Sequence, residues 1–175
     1  MIGLENNIVK LSEYKPIWKS LFDDEKTSLN KIANGLDIAV EHIGSTAVPG
    51  LCAKPIIDIL IGIDSFYKLE SYIDILCNLG YKFKGENGVP GRYFFVKSEN
   101  RITTHHAHMV IRNSALWYKY IIFRNCLIIN REIQDQYAAL KRELAEKFQF
   151  DRPTYTEAKT AFIHSTLQKA DEIIC

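Results

Sequence analysis

Gly44-Ser45 and Asp58 are the residues whose types and spacing first suggest chemistry. Gly44-Ser45 closes a short β-branched stretch, and Asp58 stands inside the apolar run IIDILIGI, residues 56–63. A glycine-serine turn can offer backbone N–H groups and a hydroxyl to a phosphate, while a carboxylate on the next strand holds a metal ion that bridges phosphates. Phosphoryl and nucleotidyl transfer ask a protein for little beyond such positioning and charge neutralisation. Without Asp58, Gly44 and Val48-Pro49-Gly50 would read only as turns. A carboxylate flanked by Ile56, Ile57, Ile59, Leu60 and Ile61 is costly to bury alone, so it requires a metal, a cation such as Lys54, or a set of N–H donors.

The run THHAHM, residues 104–109, carries the second concentration of chemistry. On a strand, His106 and His108 project from one face and His105 from the other. Together with Asp58 they would make a two-histidine, one-carboxylate set, which suits zinc, manganese or iron better than magnesium. They could equally line a polar pocket and hydrogen-bond a phosphate or ribose. His42, just before the Gly-Ser turn, could face the same cleft, although a lone histidine more often satisfies a local partner.

Several cations could hold phosphates. Lys54 precedes a proline that forces an extended backbone, which carries its ammonium toward the Asp58 strand. Arg92 opens another strand beside Tyr93, pairing a guanidinium suited to phosphate with an aromatic ring suited to a base. Tyr137 and Lys141, and Tyr155 and Lys159, are each four apart and share a helix face.

The elements that must position these groups follow from periodicity. Ile17, Trp18, Leu21, Phe22, Leu29 and Ile32 recur at helical spacing from Pro16 to a stop at Asn34-Gly35. Residues 37–43 and 56–63 read as central strands. Phe66, Leu69, Ile73, Leu76 and Cys77 mark a second helix, ended by Gly80. Residues 81–84, 92–98 and 101–112 read as further strands, the last two joined through a Glu99-Asn100 turn. Three helices should close the chain: an apolar one over 115–129, an amphipathic one through Ile133, Tyr137, Leu140, Leu144 and Phe148, and a last one after Pro153 through Ala158, Phe162 and Leu167. The prediction is an α+β fold: a mixed β-sheet of about five strands, an N-terminal helix and a C-terminal helical layer. One domain is expected over 1–175, with the sheet in 1–112 and the closing helices in 113–175.

Composition narrows the function classes. The chain has 175 residues, 47% hydrophobic and 25% charged, enough for one sizeable core. A formal net charge of +1 argues against a molecule-wide basic field, and no nucleic-acid motif appears. Cys52, Cys77, Cys126 and Cys175 are scattered without zinc-ligand spacing and read as reduced thiols. With neither a leader pattern nor an apolar run long enough to span a bilayer, a cytoplasmic location is expected.

The runs HIGSTAVPGLCAKPIIDIL, GVPGRYFF, THHAHMV, YAALKRELA and YTEAKTAFI, in this order across residues 38–167, resemble the GrpB family, which is grouped with the nucleotidyltransferase superfamily. The resemblance implies a nucleotidyltransferase-like core. Fusion of some relatives to dephospho-coenzyme A kinase implies nucleotide-like ligands. Working nucleotidyltransferases carry a Gly-Ser followed by an Asp-x-Asp or Asp-x-Glu pair, with a third carboxylate on a later strand. Gly44, Ser45 and Asp58 match, but Leu60 occupies the place of the second carboxylate. Asp64 cannot replace it, since six strand residues span roughly 20 Å against a two-metal spacing of about 4 Å. The histidine strand stands where the third carboxylate would be, and Lys159 matches the helical lysine that reaches a triphosphate.

The expectation is a protein that binds a nucleotide or other phosphorylated small molecule, with metal-dependent nucleotidyl or phosphoryl transfer as its reaction if it is an enzyme. Asp58 and Ser45 would be catalytic. Gly44, Ser45, Lys54, Arg92, Tyr93 and Lys159 would bind substrate, and Asp58, His106 and His108 a divalent metal, whether magnesium, manganese or zinc. Two alternatives stand beside it: a catalytically degenerate ligand-binding or interaction module, favoured by Leu60, and a single-metal hydrolase, favoured by the histidines.

Overall fold

The computed structural model describes residues 2–33 and 35–170; Asn34 and Cys175, both invoked above, lie outside them. Six strands, β1 (Leu4–Glu5), β2 (Ala39–Ile43), β3 (Ile57–Ile63), β4 (Tyr81–Phe83), β5 (Tyr93–Glu99) and β6 (Ile102–Ile111), form one mixed sheet in the order β2-β3-β6-β5-β4. β1 pairs with the first residues of β6 and extends the lane of β3. β3 and β6 are parallel and the other pairings antiparallel. The sheet thus has one strand more than expected; β1 is too short to carry a periodic signal.

Alternation along β3 decides which residues enter which layer. Ile57, Ile59, Ile61 and Ile63 face α1 (Ile17–Ala33) and α2 (Leu69–Asn78), packing with Trp18, Phe22, Leu29, Tyr72 and Leu76 in the main core. Each fully buried isoleucine contributes about 1.5–3 kcal/mol relative to leaving it exposed. The other face of β3 carries Asp58 and Leu60. Over Leu60 lies α3 (Ala115–Ile129), whose Trp117 packs with Ile43, Leu60 and Val110. Gly62 permits this approach, because a Cβ there would stand 2.5 Å from the Trp117 ring. Ser114 caps α3 by accepting a hydrogen bond from the Trp117 N–H.

The chain closes with α4 (Arg131–Lys147), α5 (Arg152–Glu157) and α6 (Thr160–Gln168). α4 buries Tyr137 and Ala138 against Val48, Leu51 and Cys52 of the loop between β2 and β3, so the Gly-Ser turn is backed by a helix. The last predicted helix is in fact two, α5 and α6, separated at Ala158-Lys159, and Lys159 keeps the expected place over Tyr155. The β5–β6 turn is made by Asn100 and Arg101 (φ 48° and 67°), one residue later than expected, which matches the twist of a tight hairpin. Among the described residues no helix is long and apolar enough to cross a membrane.

Candidate metal and anion site

Register brings the predicted residues together. Asp58 is paired with His106, and Leu60 with His108, across the parallel β3–β6 ladder, so all four side chains share one face. Asp58 Oδ1 lies 3.0 Å from His106 Nδ1 and 3.7 Å from His108 Nε2. One ligand atom from each residue falls within 4.8 Å of the others. The Asp58 side chain is 29% exposed, open to a cavity of about 900 Å³. Burial pushes its carboxyl up, but hydrogen bonding and charge from His106 and His108 outweigh this and hold it well below the usual carboxylate range.

Gly44 adjoins this carboxylate. Its φ is +69°, and a Cβ there would meet Asp58 Oδ2 at 2.5 Å. Gly44→Ala should therefore destabilise the fold by about 1–3 kcal/mol, through backbone strain and a displaced carboxylate. Thermal melting together with metal titration checks this, both values falling in the variant.

The donor set fits one divalent ion, since two imidazoles and a carboxylate satisfy zinc, manganese or iron at these separations. One adjustment is required. Arg152 Nη2 lies 3.0 Å from His106 Nε2, and a guanidinium only donates, so Nε2 accepts and Nδ1–H donates to Asp58. Burial, reinforced by the Arg152 charge and opposed by Asp58, lowers the His106 pKa and favours this neutral ring. Ligation through Nδ1 moves the proton to Nε2, where it would confront the Arg152 donor. Arg152→Ala should thus tighten Mn²⁺ or Zn²⁺ binding by about tenfold, the worth of a charge-assisted hydrogen bond given up on ligation. Unchanged affinity in a competition titration would speak against this geometry.

A wall of cations borders the same cavity. Lys141, on α4 and 2% exposed, donates from Nζ to Ser45 Oγ at 3.0 Å and to the Cys52 carbonyl. Lys54 and Lys159 approach the Tyr155 ring from 5.1 and 4.2 Å. Burial is the main cause that presses Lys54 and Lys141 down to about 7 and Lys159 to about 8, and neighbouring cations add repulsion. Because these folded-state values lie below that of an unfolded lysine, the unfolded chain binds more protons across the neutral-to-alkaline window, and stability rises with pH there. Lys141→Met should accordingly raise stability near pH 7 by about 1 kcal/mol or more, roughly 2–4 °C in Tm, with the gain fading above about pH 10. Melting curves at the two pH values check it.

Not every expected residue arrives in the form foreseen. The Ala47 and Val48 N–H groups donate back to the Gly44 and Ser45 carbonyls, closing a turn at Ser45–Ala47 instead of facing a ligand. Arg92 borders the cavity, but its Nη2 donates to the Glu86 and Asn87 carbonyls at 3.0 and 2.8 Å, so part of its guanidinium fastens the loop before β5. Tyr93 is not brought to the site: alternation along β5 turns it to the opposite face, against Phe66 and Phe83. His42 is likewise on the core face, stacked on Phe22 and hydrogen-bonded to Thr46 Oγ1. Sequence reasoning missed Arg152 and Phe94 and set Lys141 behind Lys159. Period-two spacing from Arg92 signals Phe94, whose ring lies 5.2 and 5.1 Å from His106 and His108. Nothing local signals Arg152, which reaches the sheet only through the packing of α5.

The mixed sheet with its helical layers is nucleotidyltransferase-like in fold. The structure of Cid1 poly(U) polymerase with Mg 3′-dATP superposes with a TM-score of 0.53 over 77% of this chain and 43% of that one, at 11% identity, a likeness of fold alone. Within that class the chain belongs to the GrpB family, whose "GrpB protein" pattern it matches over residues 8–169. The glutamate-rich protein GrpB of Alkalihalophilus pseudofirmus is 35% identical over 173 residues, covering 97% of this chain and 99% of the relative. YqkA of Bacillus subtilis is also 35% identical, over 162 residues that cover 93% of this chain but 47% of YqkA, so the chain spans about half of that relative. The crystal structure of conserved protein GrpB from Enterococcus faecalis superposes with a TM-score of 0.84 at 34% identity, covering 92% of this chain and 96% of that one.

Proposed function

We propose that this protein binds a nucleotide or another polyphosphate-bearing small molecule through one divalent metal and a wall of lysines, as a ligand-binding module built on a nucleotidyltransferase-like fold. The observation that carries the reading is the meeting of Lys54, Lys141, Lys159 and Arg152 with a single carboxylate, Asp58, in one cavity. Asp58, His106 and His108 would hold the ion, which supplies a bridge between phosphate oxygens. Lys141 would release Ser45 Oγ to a phosphate, and Lys54, Lys159 and Arg152 would neutralise the remaining charge. An arriving anion favours the charged lysines, so binding should take up protons at pH 8 and weaken as pH rises further. The loss of a second carboxylate at Leu60 argues for binding over two-metal nucleotidyl transfer. A second reading, single-metal hydrolysis, is favoured by the Asp-His-His donor set. The free, scattered cysteines support a cytoplasmic setting.

Calorimetric titration of tripolyphosphate and ATP, with and without Mn²⁺ or Zn²⁺, tests the proposal. Metal-dependent binding without turnover is the expected result. Release of phosphate selects the hydrolase reading, and tight metal binding with no affinity for either anion overturns the assignment of the lysine wall.

A further inference from the structure

The cavity does not end at the metal and lysine site. Across the sheet, one row of side chains on the open face runs Ile43, Asp58, His106, Val96 and Lys82, and the next runs Glu41, Leu60, His108 and Phe94. Lys84 borders Phe94 through a backbone hydrogen bond of 2.8 Å. With strands about 4.8 Å apart, the Lys82 backbone lies about 10 Å from that of His106 and about 14 Å from that of Asp58. Lys82 therefore stands on the side of the Asp-His-His centre away from β2 and its Gly-Ser turn.

This half of the cavity has its own chemistry. The main helix packing on this face involves α3 over β2, β3 and β6, while Phe94 and Val96 of β5 remain half-buried as a floor. Lys82 and Lys84 stand beside that floor, and Arg101 borders the same cavity farther along, at the β5–β6 turn. Among the described residues no ion pair engages any of these three, and Asp58 is the one carboxylate that borders the cavity. In a chain of formal net charge +1, so many unmatched cations around one cleft is a local concentration of charge. A polyphosphate held by Lys54, Lys141 and Lys159 leaves this shelf free, and about 900 Å³ is at the upper end of what one small ligand fills.

We infer that the Phe94–Val96 shelf, rimmed by Lys82 and Lys84, is a second binding subsite for a small molecule that joins a planar ring to a phosphate-type anion. The ring packs against Phe94 and the Arg92 guanidinium that stands 5.1 Å from the Phe94 ring centroid, and the anion meets the rim. Lys82 and Lys84, two apart on one face of the strand, match one compact anion better than a long polyanion. The inference builds on the reading of the lysine wall as the first anion site, and two ligands would then flank the metal centre.

The test uses the full chain saturated with Mn²⁺ and tripolyphosphate, into which AMP is titrated by calorimetry. One equivalent of AMP should bind. The Lys82→Ala/Lys84→Ala double variant, altered only on the surface, should weaken AMP by about tenfold and leave tripolyphosphate affinity within about twofold. Lys141→Met should show the reverse pattern. Absence of AMP binding to the saturated protein, loss that follows Lys141 instead of Lys82 and Lys84, or binding of single-stranded RNA in place of AMP overturns the subsite. Should tripolyphosphate itself fail to bind, AMP titrated into the free protein still reads the dependence on Lys82 and Lys84, so the two proposals fail separately.

Discussion

Asp58→Asn should weaken Mn²⁺ or Zn²⁺ binding by about a hundredfold or more while leaving the chain folded, because an anionic ligand becomes a neutral amide of equal size. The amide oxygen can still accept the His106 hydrogen bond, so the β3–β6 contact survives. The substitution also removes an acid sensitivity. The folded-state carboxyl lies below its unfolded value, so Asp58 contributes stability above the usual carboxylate range and loses it as pH falls. The Asp58→Asn variant should therefore lose less stability between neutral and acidic pH than the native chain. Metal titration and acid unfolding check both halves, and unchanged metal affinity would show that the ion is held elsewhere.

Leu60→Asp has the largest expected cost to the fold. Restoring the motif's second carboxylate looks conservative from the sequence, yet Leu60 is fully buried beneath Trp117 and stands opposite Glu41 on β2. A charge there would be desolvated beside another carboxylate, and the leucine's packing would be lost. About 3–5 kcal/mol of destabilisation follows, against roughly 5–15 kcal/mol of total stability for ordinary domains. Chemical unfolding should show that loss, and the variant should gain no second metal ion. A stable Leu60→Asp protein that binds two ions would mean that α3 yields readily and that the two-metal site is merely dormant.

The strands and most helices were legible because their signals are local. The isoleucine run of β3, the alternation THHAHM and the Gly80 stop each report on a few neighbouring residues, and the structure bears them out. The convergence of Asp58 with His106 and His108 was readable only as a possibility, since a parallel register between strands distant in sequence is decided by packing. Leu60 shows the limit from the other side. Its identity marked a missing carboxylate, but the reason, a tryptophan laid across Gly62, belongs to a helix whose angle no periodicity encodes. Tyr93 is next to Arg92 in the chain, but alternation along β5 puts Phe94 on the site face and Tyr93 on the other. Arg152 was invisible because it acts through the turn into α5 and contacts a histidine on a strand far from it in the chain.

The count of Mn²⁺ ions bound per chain in the presence of a non-hydrolysable ATP analogue, read by electron paramagnetic resonance, tests the central claim most directly. One ion per chain, lost in Asp58→Asn and accompanied by bound nucleotide, is the predicted result. Two ions per chain, or a nucleotide bound equally well without metal and with Lys141 replaced, would contradict it.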